Sequence, residues 1–246
     1  MVWISVVLVS LIAWSIRPIL PIDETRYLAV AYEMFTKKEW VVPYLNGEIY
    51  SQKPPVLFWL IQSGWHLFGI NTWWPRLLGL IALLMNGYIL QKISKMIFPG
   101  DLYVSKMSSW IYITSFFPLV FSSLIFFDIW LSLWVSCAWL FILKRAINED
   151  SAKNLIAFSF FLALGFLTKG PVILIFILPA LCFKGLFSPT HIGLWAVKGI
   201  AFAFILSLIW IIPAFIHAGE SFNLNLLWEQ TINRISSDEN NVGGAT

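Results

Sequence analysis

The sequence predicts an all-α polytopic membrane protein with about seven transmembrane helices. Of its 246 residues 59% are hydrophobic and only 12% are charged, whereas soluble domains have an apolar fraction of roughly 45–50%. Long apolar runs separate the charged side chains, so a soluble globular domain, a disordered chain and a nucleic-acid-binding basic tail are excluded. The net charge of +3 requires no polyanionic partner.

Seven apolar stretches are candidates for crossing a hydrocarbon layer of about 30 Å. They are Val2–Ile16, Trp74–Leu90, Trp110–Phe127, Ile129–Leu143, Asn154–Thr168, Gly170–Phe183 and Gly199–Ile216. The first follows Met1 with no basic n-region and no small-residue cleavage site, so we expect a retained helix rather than a cleaved signal peptide. Cys137 and Cys182 lie inside two of the stretches, where a thiol acts as a small buried hydrophobe.

An eighth apolar segment, Pro55–Ile70, is interrupted by polar residues and rich in aromatic ones, which is typical of an interfacial helix. If it does not span the membrane, eight basic residues of the later loops fall on one side: Lys92, Lys95, Lys106, Lys144, Arg145, Lys153, Lys184 and Lys198. The positive-inside rule then predicts a cytoplasmic N-terminus. Residues 1–217 would form the transmembrane module, with a periplasmic first loop over about residues 17–73 and a periplasmic tail over residues 218–246. If the segment does span, the later basic loops face outward.

The first loop has a predicted internal structure. Apolar residues at three- and four-residue spacing predict a helix over Glu24–Lys38, with Asp23 at the position of an N-cap. Pro43 and Gly47 then predict turns. Two prolines before Val56 favour an extended approach to the membrane surface.

Two groups of charged and polar residues are predicted at the outer edge of the bundle. Asp128 and Lys169 each end an uncharged stretch of about 15 residues, or roughly 23 Å, which is shorter than the hydrocarbon layer. An ionised group at that depth is paired or lies in a wet cavity, so the two form either a structural ion pair or part of a site. The second group is Asp23, Glu24, Arg26, Tyr27, Tyr50 and Lys53. Together these residues can hold a phosphate group while a carboxylate handles a proton or a hydroxyl. The alternative is that Asp23 and Glu24 only cap a surface helix and that Lys53 snorkels.

Five ordered motifs then resemble one family. Asp23-Glu-Thr-Arg-Tyr27, Trp40-Val-Val-Pro-Tyr-Leu-Asn-Gly47 and Tyr50-Ser-Gln-Lys-Pro-Pro55 are followed by Asp128 with Thr168-Lys-Gly-Pro171, and by Trp228, Glu229 and Arg234. This order resembles the N-terminal half of the bacterial lipid A aminoarabinose transferases and their protein O-mannosyltransferase relatives, which are GT-C type glycosyltransferases.

The resemblance implies a transferase of the bacterial inner membrane. Its donor would be a sugar on a polyprenyl (undecaprenyl) phosphate, and its acceptor lipid A, a glycan or a protein at the periplasmic face. By residue, it implies that Asp23 is the carboxylate at the reaction centre and Asp128 a second active-site acid. The carrier phosphate would be bound by Lys53, Lys169, Tyr27 and Tyr50, with Arg234 as a further contact, next to Glu24 and Arg26 in the same group.

Two departures from the family pattern affect what is expected. Two positions where the aminoarabinose transferases commonly have metal-associated Glu and His read Gln52 and Gln230, and an amide is a poor metal ligand. We therefore expect no cofactor and no metal site, and we interpret the scattered His66, His191 and His217 as structural or interfacial. Family members are also about twice as long, so a missing C-terminal half is a further expected partner, and activity of the short chain alone is left open.

A rival function from another class is a non-catalytic lipid-binding or transporter-like membrane subunit; an inactive fragment of a transferase is a second alternative. In the rival, the same charges bind an anionic membrane lipid or line a solute path. A transporter favours inverted repeats with charges at span centres, and the sequence has no such repeat.

Overall fold

Helices form nearly all of the regular structure in the computed structural model, which describes residues 2–147, 151–182 and 192–218. They are α1 (Val2–Ile16), α2 (Asp23–Thr36), α3 (Val56–Phe68), α4 (Trp73–Ile97), α5 (Leu102–Thr114), α6 (Phe116–Ser122), α7 (Phe127–Ala146), α8 (Ala152–Lys169), α9 (Val172–Cys182) and α10 (Ile192–Ala218). The predicted all-α class is confirmed. Two short antiparallel strands, β1 (Tyr44–Leu45) and β2 (Glu48–Ile49), are added to it within the described residues.

Four helices within the described ranges are long and apolar enough to cross a membrane, namely α4, α7, α8 and α10. The helix α1 has 15 residues, or about 22 Å, and α9 has 11, so each is shorter than a full crossing. Each of the seven predicted stretches except the third lies wholly or mainly in one helix. The count of seven crossings stays a prediction.

The core of the bundle is built around α7. This helix packs along α4 and α8, and α8 packs in turn along α10. Ten residues of α7 are buried, including Trp130 and Trp134, whereas Leu8 and Ile12 on α1 and Ile205 and Ile209 on α10 are exposed. Apolar side chains on the outside of such a bundle are stable only against lipid or further apolar protein surface.

The predicted third span is wrong as a single helix. Residues 110–127 form the end of α5, the short helix α6 and a non-helical segment. The physical reason is Pro118, which has no backbone N–H to donate to the carbonyl of Thr114 four residues earlier, and α5 ends at Thr114. The break leaves residues 123–126 irregular, beside the loop that follows α1.

The predicted N-cap at Asp23 is also wrong. Asp23 is the first residue of α2, the N-cap position is occupied by Ile22 with a φ of 78°, and no side chain caps the helix. The Asp23 carboxylate instead pairs with Arg26 one turn further along. The helix itself is confirmed, two residues earlier at its end than expected, and Lys38 with a φ of 54° follows it.

The loop after α2 is folded against the bundle. The turn between β1 and β2 is Asn46-Gly47, both at positive φ, and the Glu33 carboxylate on α2 accepts hydrogen bonds from both backbone N–H groups. The indole of Trp210 on α10 donates to the carbonyl of Val41 at 2.8 Å. These contacts hold the loop between α2 and α10.

The helix α3 is the segment predicted to lie at the membrane interface. It has 13 residues, or about 20 Å, which is too short to cross the hydrocarbon layer. One face, including Phe58 and Ile61, is buried against α2 and α4, and its other face carries the exposed Leu67 and Phe68. His66 stacks on Trp40 with the ring centroids 5.3 Å apart.

Candidate active site

A buried ion pair joins α1 to the start of α2. The Arg17 guanidinium binds the Glu24 carboxylate through two hydrogen bonds of 2.7 and 2.9 Å, and the Glu24 side chain is 0% exposed. The same carboxylate accepts hydrogen bonds from the backbone N–H groups of Leu20 and Ile125. Arg17 also donates to the carbonyl of Ser123 at 2.7 Å. All four acceptor positions of the carboxylate are therefore filled by protein donors.

These contacts bear on the expected role of Glu24 as a substrate-binding residue. The buried carboxylate already accepts four hydrogen bonds and so joins the start of α2 to Arg17 and Ile125. A role in binding substrate stays a prediction. Burial raises the pKa of Glu24, but hydrogen bonds from Arg17, Leu20 and Ile125 outweigh burial and leave the pKa below its ordinary value. The carboxylate is therefore ionised throughout the neutral range.

The neighbouring residue Asp23 is far more exposed than Glu24. Its side chain is 48% exposed, and one oxygen lies 2.5 Å from the Arg26 guanidinium. Arg26 also lies 3.4 Å from the amide oxygen of Gln52, and its guanidinium is 5.7 Å from the centre of the Tyr27 ring. Arg26 thus connects the start of α2 to the segment that carries Lys53.

Tyr50 brings an unused hydroxyl to this group. The residue is 5% exposed, its ring packs edge-on against Phe58, and its hydroxyl has no hydrogen-bond partner among the described residues. Burial raises the pKa of Tyr50, and the nearby Arg26 partly offsets the rise. The hydroxyl is therefore neutral and free to donate a hydrogen bond to a bound group. Lys53, only 9% exposed, is buried in the same segment.

Asp128 and Lys169 form the second half of the site. The Lys169 ammonium lies 2.5 Å from an Asp128 carboxylate oxygen, with the two side chains 25% and 48% exposed. Asp128 is in the first turn of α7 and Lys169 in the last turn of α8, where the helix dipoles favour an anion and a cation respectively. The sequence placed these two residues on one face of the membrane, and the structure brings them into contact.

Tyr27 connects the two halves. Its ring packs edge-on against Phe127, the residue before Asp128, with the centroids 5.0 Å apart. Burial raises the pKa of Tyr27, the charge of Asp23 raises it further, and the charge of Asp128 adds to the same direction. The charges of both carboxylates therefore act on the Tyr27 hydroxyl, which relates the two groups electrostatically.

A largely apolar cavity of about 240 Å³ opens beside Asp128. It is lined by Tyr112, Phe117, Pro118, Phe121, Asp128, Ile129 and Ser132. The broken helix between α5 and α6 forms one wall, and the Asn86 amide, itself 0% exposed, donates to the Ser132 hydroxyl at 2.8 Å. Sequence patterns did not reveal this cavity, because the segment that forms it was predicted to be a regular span.

Two arginines were missed as parts of the site. Arg76 on α4 donates to the backbone carbonyls of Trp14 and Arg17, at 2.8 and 3.1 Å, and so fixes the end of α1. Arg17 binds Glu24 as described. Their positions in the sequence could have identified them. Arg76 lies within a predicted span and Arg17 directly follows another, and charges at such depth are usually paired.

Other expected features lie outside the described residues or are not formed by them. Arg234 and Gln230 lie outside the described ranges, as does His191. Within those ranges no three His, Cys, Asp or Glu side chains converge on a point where a metal ion can bind. Gln52 instead faces the Arg26 guanidinium, and a neighbouring positive charge disfavours a cation.

Residues 52–217 match a protein family described as dolichyl-phosphate-mannose-protein mannosyltransferase. The chain is 25% identical over 224 residues to an undecaprenyl phosphate-alpha-4-amino-4-deoxy-L-arabinose arabinosyl transferase of Photorhabdus laumondii, an alignment that covers 88% of this chain and 40% of that protein. It is 29% identical over 164 residues to the corresponding transferase 1 of Proteus mirabilis, covering 65% of this chain and 29% of the relative. The chain therefore spans less than half the length of these relatives.

Two solved structures share the fold. The crystal structure of ArnT from Cupriavidus metallidurans in the apo state superposes with a TM-score of 0.71 at 22% identity, covering 93% of this chain and 43% of ArnT. The structure of the same protein bound to undecaprenyl phosphate gives a TM-score of 0.67 at 20% identity, with 92% and 44% covered. The arrangement of helices described above is thus that of a polytopic membrane protein.

Proposed function

The chain belongs to the dolichyl-phosphate-mannose-protein mannosyltransferase family, and from this premise we propose that it acts in transfer of a sugar from a polyprenyl phosphate carrier. The family description names a mannose on dolichyl phosphate, and the relatives' names give an aminoarabinose on undecaprenyl phosphate. A sugar on a polyprenyl phosphate is the donor class that both share. The observation that carries the proposal is the convergence of Asp23, Arg26, Tyr27 and Tyr50 with the Asp128–Lys169 pair at one end of the bundle.

The cations and hydroxyls of the site are assigned to the carrier phosphate. When the bond between the sugar and the phosphate breaks, negative charge develops on the phosphate oxygens, and donors already in position stabilise it. Lys169 and Lys53 supply positive charge, and the free hydroxyl of Tyr50 supplies a hydrogen bond. Asp128 orients the Lys169 ammonium through their 2.5 Å contact.

Asp23 is assigned to the acceptor. It is the most exposed carboxylate of the first group, and Arg26 orients it. If the acceptor is a hydroxyl, Asp23 takes its proton as the new bond to the sugar forms; if the acceptor is a phosphate, which needs no strong base, Asp23 orients it. Lipid A, a glycan and a protein remain the acceptor classes of this proposal.

No step of the proposed reaction uses a metal ion. Gln52, where the family commonly has Glu, lies 3.4 Å from the Arg26 guanidinium, and this neighbouring positive charge disfavours a divalent cation at the position. The positive charge that a metal supplies elsewhere comes here from Lys53, Lys169 and Arg26.

The proposed location is the bacterial inner membrane, with the N-terminus in the cytoplasm and the site at the periplasmic face. The basic residues Lys92, Lys95 and Lys106 lie at the end of α4 and the start of α5, at the end of the bundle away from Asp23. The positive-inside rule supports a cytoplasmic position for that end.

The test is sugar transfer from a panel of labelled undecaprenyl-phosphate donors in membranes, by this chain and by any longer form that its reading frame encodes. We expect Asp23→Asn to reduce turnover by at least about a hundredfold in whichever form is active. Asp101→Asn is the matched control, because Asp101 caps α5 at the opposite end and Asn caps equally well. Turnover by Asp23→Asn equal to that of the control contradicts the assignment of Asp23, and no transfer in any form contradicts the proposed function.

A further inference from the structure

A second cavity, also largely apolar but rimmed by a lysine, lies at the far end of the bundle from the candidate active site. It measures about 220 Å³ and is lined by Trp3, Gln91, Lys106, Ser109 and Trp110. These residues come from α1, α4 and α5, so three helices form its walls. On α4, Gln91 is 15 residues beyond Arg76, a distance of about 22 Å along the helix, which excludes any contact with the first site.

One wall of the cavity contains a serine whose hydroxyl has no partner among the described residues. Ser109 is 1% exposed, and its Oγ has no hydrogen bond among the described residues. A buried hydroxyl left unsatisfied is unfavourable, so an occupant that reaches it and accepts its hydrogen bond is favoured. The Gln91 amide offers further donors on the facing helix.

The charge of the cavity is positive. Lys106 lies on its rim, exposed, one turn before Ser109 on α5. Lys92 and Lys95 lie near Gln91 on α4, and Asp101, an acidic residue between α4 and α5, is engaged as the cap of α5. A group that fills the cavity therefore meets one positive charge directly and two more nearby.

Two indoles give the cavity the composition of a membrane interface. Trp3 and Trp110 are partly buried, and Trp3 lies close to α4 because position 87 is glycine: a Cβ at that position would be 3.0 Å from the Trp3 ring and 3.1 Å from Ser109 Oγ. Tryptophan is enriched where hydrocarbon meets head groups. The cavity thus lies at head-group depth, with apolar surface on one side and cations on the other.

We propose that this cavity binds the phosphate head group of an anionic phospholipid of the leaflet opposite the candidate active site. The Lys106 ammonium pairs with the phosphate, Ser109 and Gln91 donate hydrogen bonds to its oxygens, and the two indoles contact the glycerol and the upper acyl chains. Basic pockets between transmembrane helices on the cytoplasmic side have this chemistry. The site is separate from the reaction, so it can be tested whether or not the chain transfers a sugar.

The experiment is native mass spectrometry of the purified chain with phosphatidylglycerol or with zwitterionic phosphatidylcholine. We expect one phosphatidylglycerol to be retained in preference to phosphatidylcholine, and Lys106→Gln to weaken that binding about fivefold. Lys92→Gln is the matched control: it removes the same charge one residue from the cavity, where the Lys92 ammonium lies over the Tyr88 ring. Ser109→Ala is a second test that keeps the net charge, and we expect it to weaken binding as well.

Three results would overturn the proposal. Equal losses in Lys106→Gln and Lys92→Gln would mean diffuse attraction to a basic surface. Equal retention of the two lipids would mean that the cavity does not recognise the anionic head group. Displacement of phosphatidylglycerol by millimolar inorganic phosphate would mean that free phosphate, and not a lipid, is the ligand. Melting temperatures measured without added lipid show whether each variant is folded. If Lys106→Gln does not fold, Ser109→Ala tests the proposal in its place.

Discussion

The Glu24 carboxylate accepts a hydrogen bond from the backbone N–H of Ile125 at 2.8 Å, although 101 positions separate the two residues in the chain. Ile125 lies in the irregular segment before α7, three residues before Asp128. Glu24 lies beside Asp23 at the start of α2. The contact therefore sets the position of one candidate catalytic carboxylate relative to the other, and it does so without a side chain from the second segment.

We expect Glu24→Gln to destabilise the fold. The substitution keeps the shape of the side chain but removes the counter-charge of the partly buried Arg17 guanidinium, whose side chain is 21% exposed. We expect a cost of about 3 kcal/mol, the lower end of the range for breaking a buried pair. The midpoint of thermal unfolding in detergent should fall by roughly 6–12 °C, following the usual scaling for chains of this size. Glu48→Gln, on the exposed strand β2, is the control and should leave the midpoint unchanged. Equal midpoints for the two variants would show that the Arg17–Glu24 pair does not hold the fold.

The same pair predicts how stability depends on pH. Because the pKa of Glu24 is lower in the folded chain than its ordinary value of 4.5, the folded state binds the proton more weakly than the unfolded state. The stabilisation is complete above the ordinary value and is lost as pH falls through the folded value. The difference in unfolding midpoint between the natural chain and Glu24→Gln should therefore be largest near neutral pH and shrink below about pH 4. A difference that stays constant into acid would contradict this linkage.

How much of the site could be predicted from the sequence is shown by these residues. The contact between Asp128 and Lys169 followed from chain direction: α7 and α8 are joined by a short connection, so the start of one and the end of the other lie at the same end of the bundle. Glu24 could not be placed, because two of its four hydrogen bonds come from the backbone N–H groups of Leu20 and Ile125, and backbone N–H groups leave no trace in a sequence. The helix break after Thr114 is encoded by Pro118. It was not predicted, because the apolar run continues through the proline. The cavity beside Asp128 depends on that break.

Tyr50→Phe should separate stability from binding. When no sugar donor is bound, the Tyr50 hydroxyl is buried without a hydrogen-bond partner among the described residues. Its removal should therefore leave the unfolding midpoint unchanged or raise it. With a donor, loss of one hydrogen bond to a charged phosphate should weaken affinity about tenfold. Tyr32→Phe, an exposed position on α2, is the control for both measurements. Unchanged donor affinity would remove Tyr50 from the phosphate site.

Lys169→Ala distinguishes a phosphate-binding role from a structural ion pair. The Asp128 partner is 48% exposed, and a half-exposed pair contributes little to stability, so we expect a small change in unfolding midpoint. Donor affinity should fall about tenfold, because the lysine's positive charge no longer pairs with the negative carrier phosphate. Lys153→Ala, at the other end of α8 and exposed, is the matched control. A large loss of stability with normal donor affinity would favour the structural pair.

The sidedness of the site can be read from two introduced cysteines. Glu48→Cys places a thiol on the exposed strand β2 beside the candidate active site, and Lys92→Cys places one on the exposed face of α4 at the basic end. With a cytoplasmic N-terminus, a membrane-impermeant maleimide added to intact spheroplasts should label position 48 at once and position 92 only after permeabilisation. The unsubstituted chain, whose Cys137 is buried, measures the background. The reverse labelling pattern would mean that the chain has the opposite orientation in the membrane. The basic end would then not face the cytoplasm, against the positive-inside rule on which the assignment rests.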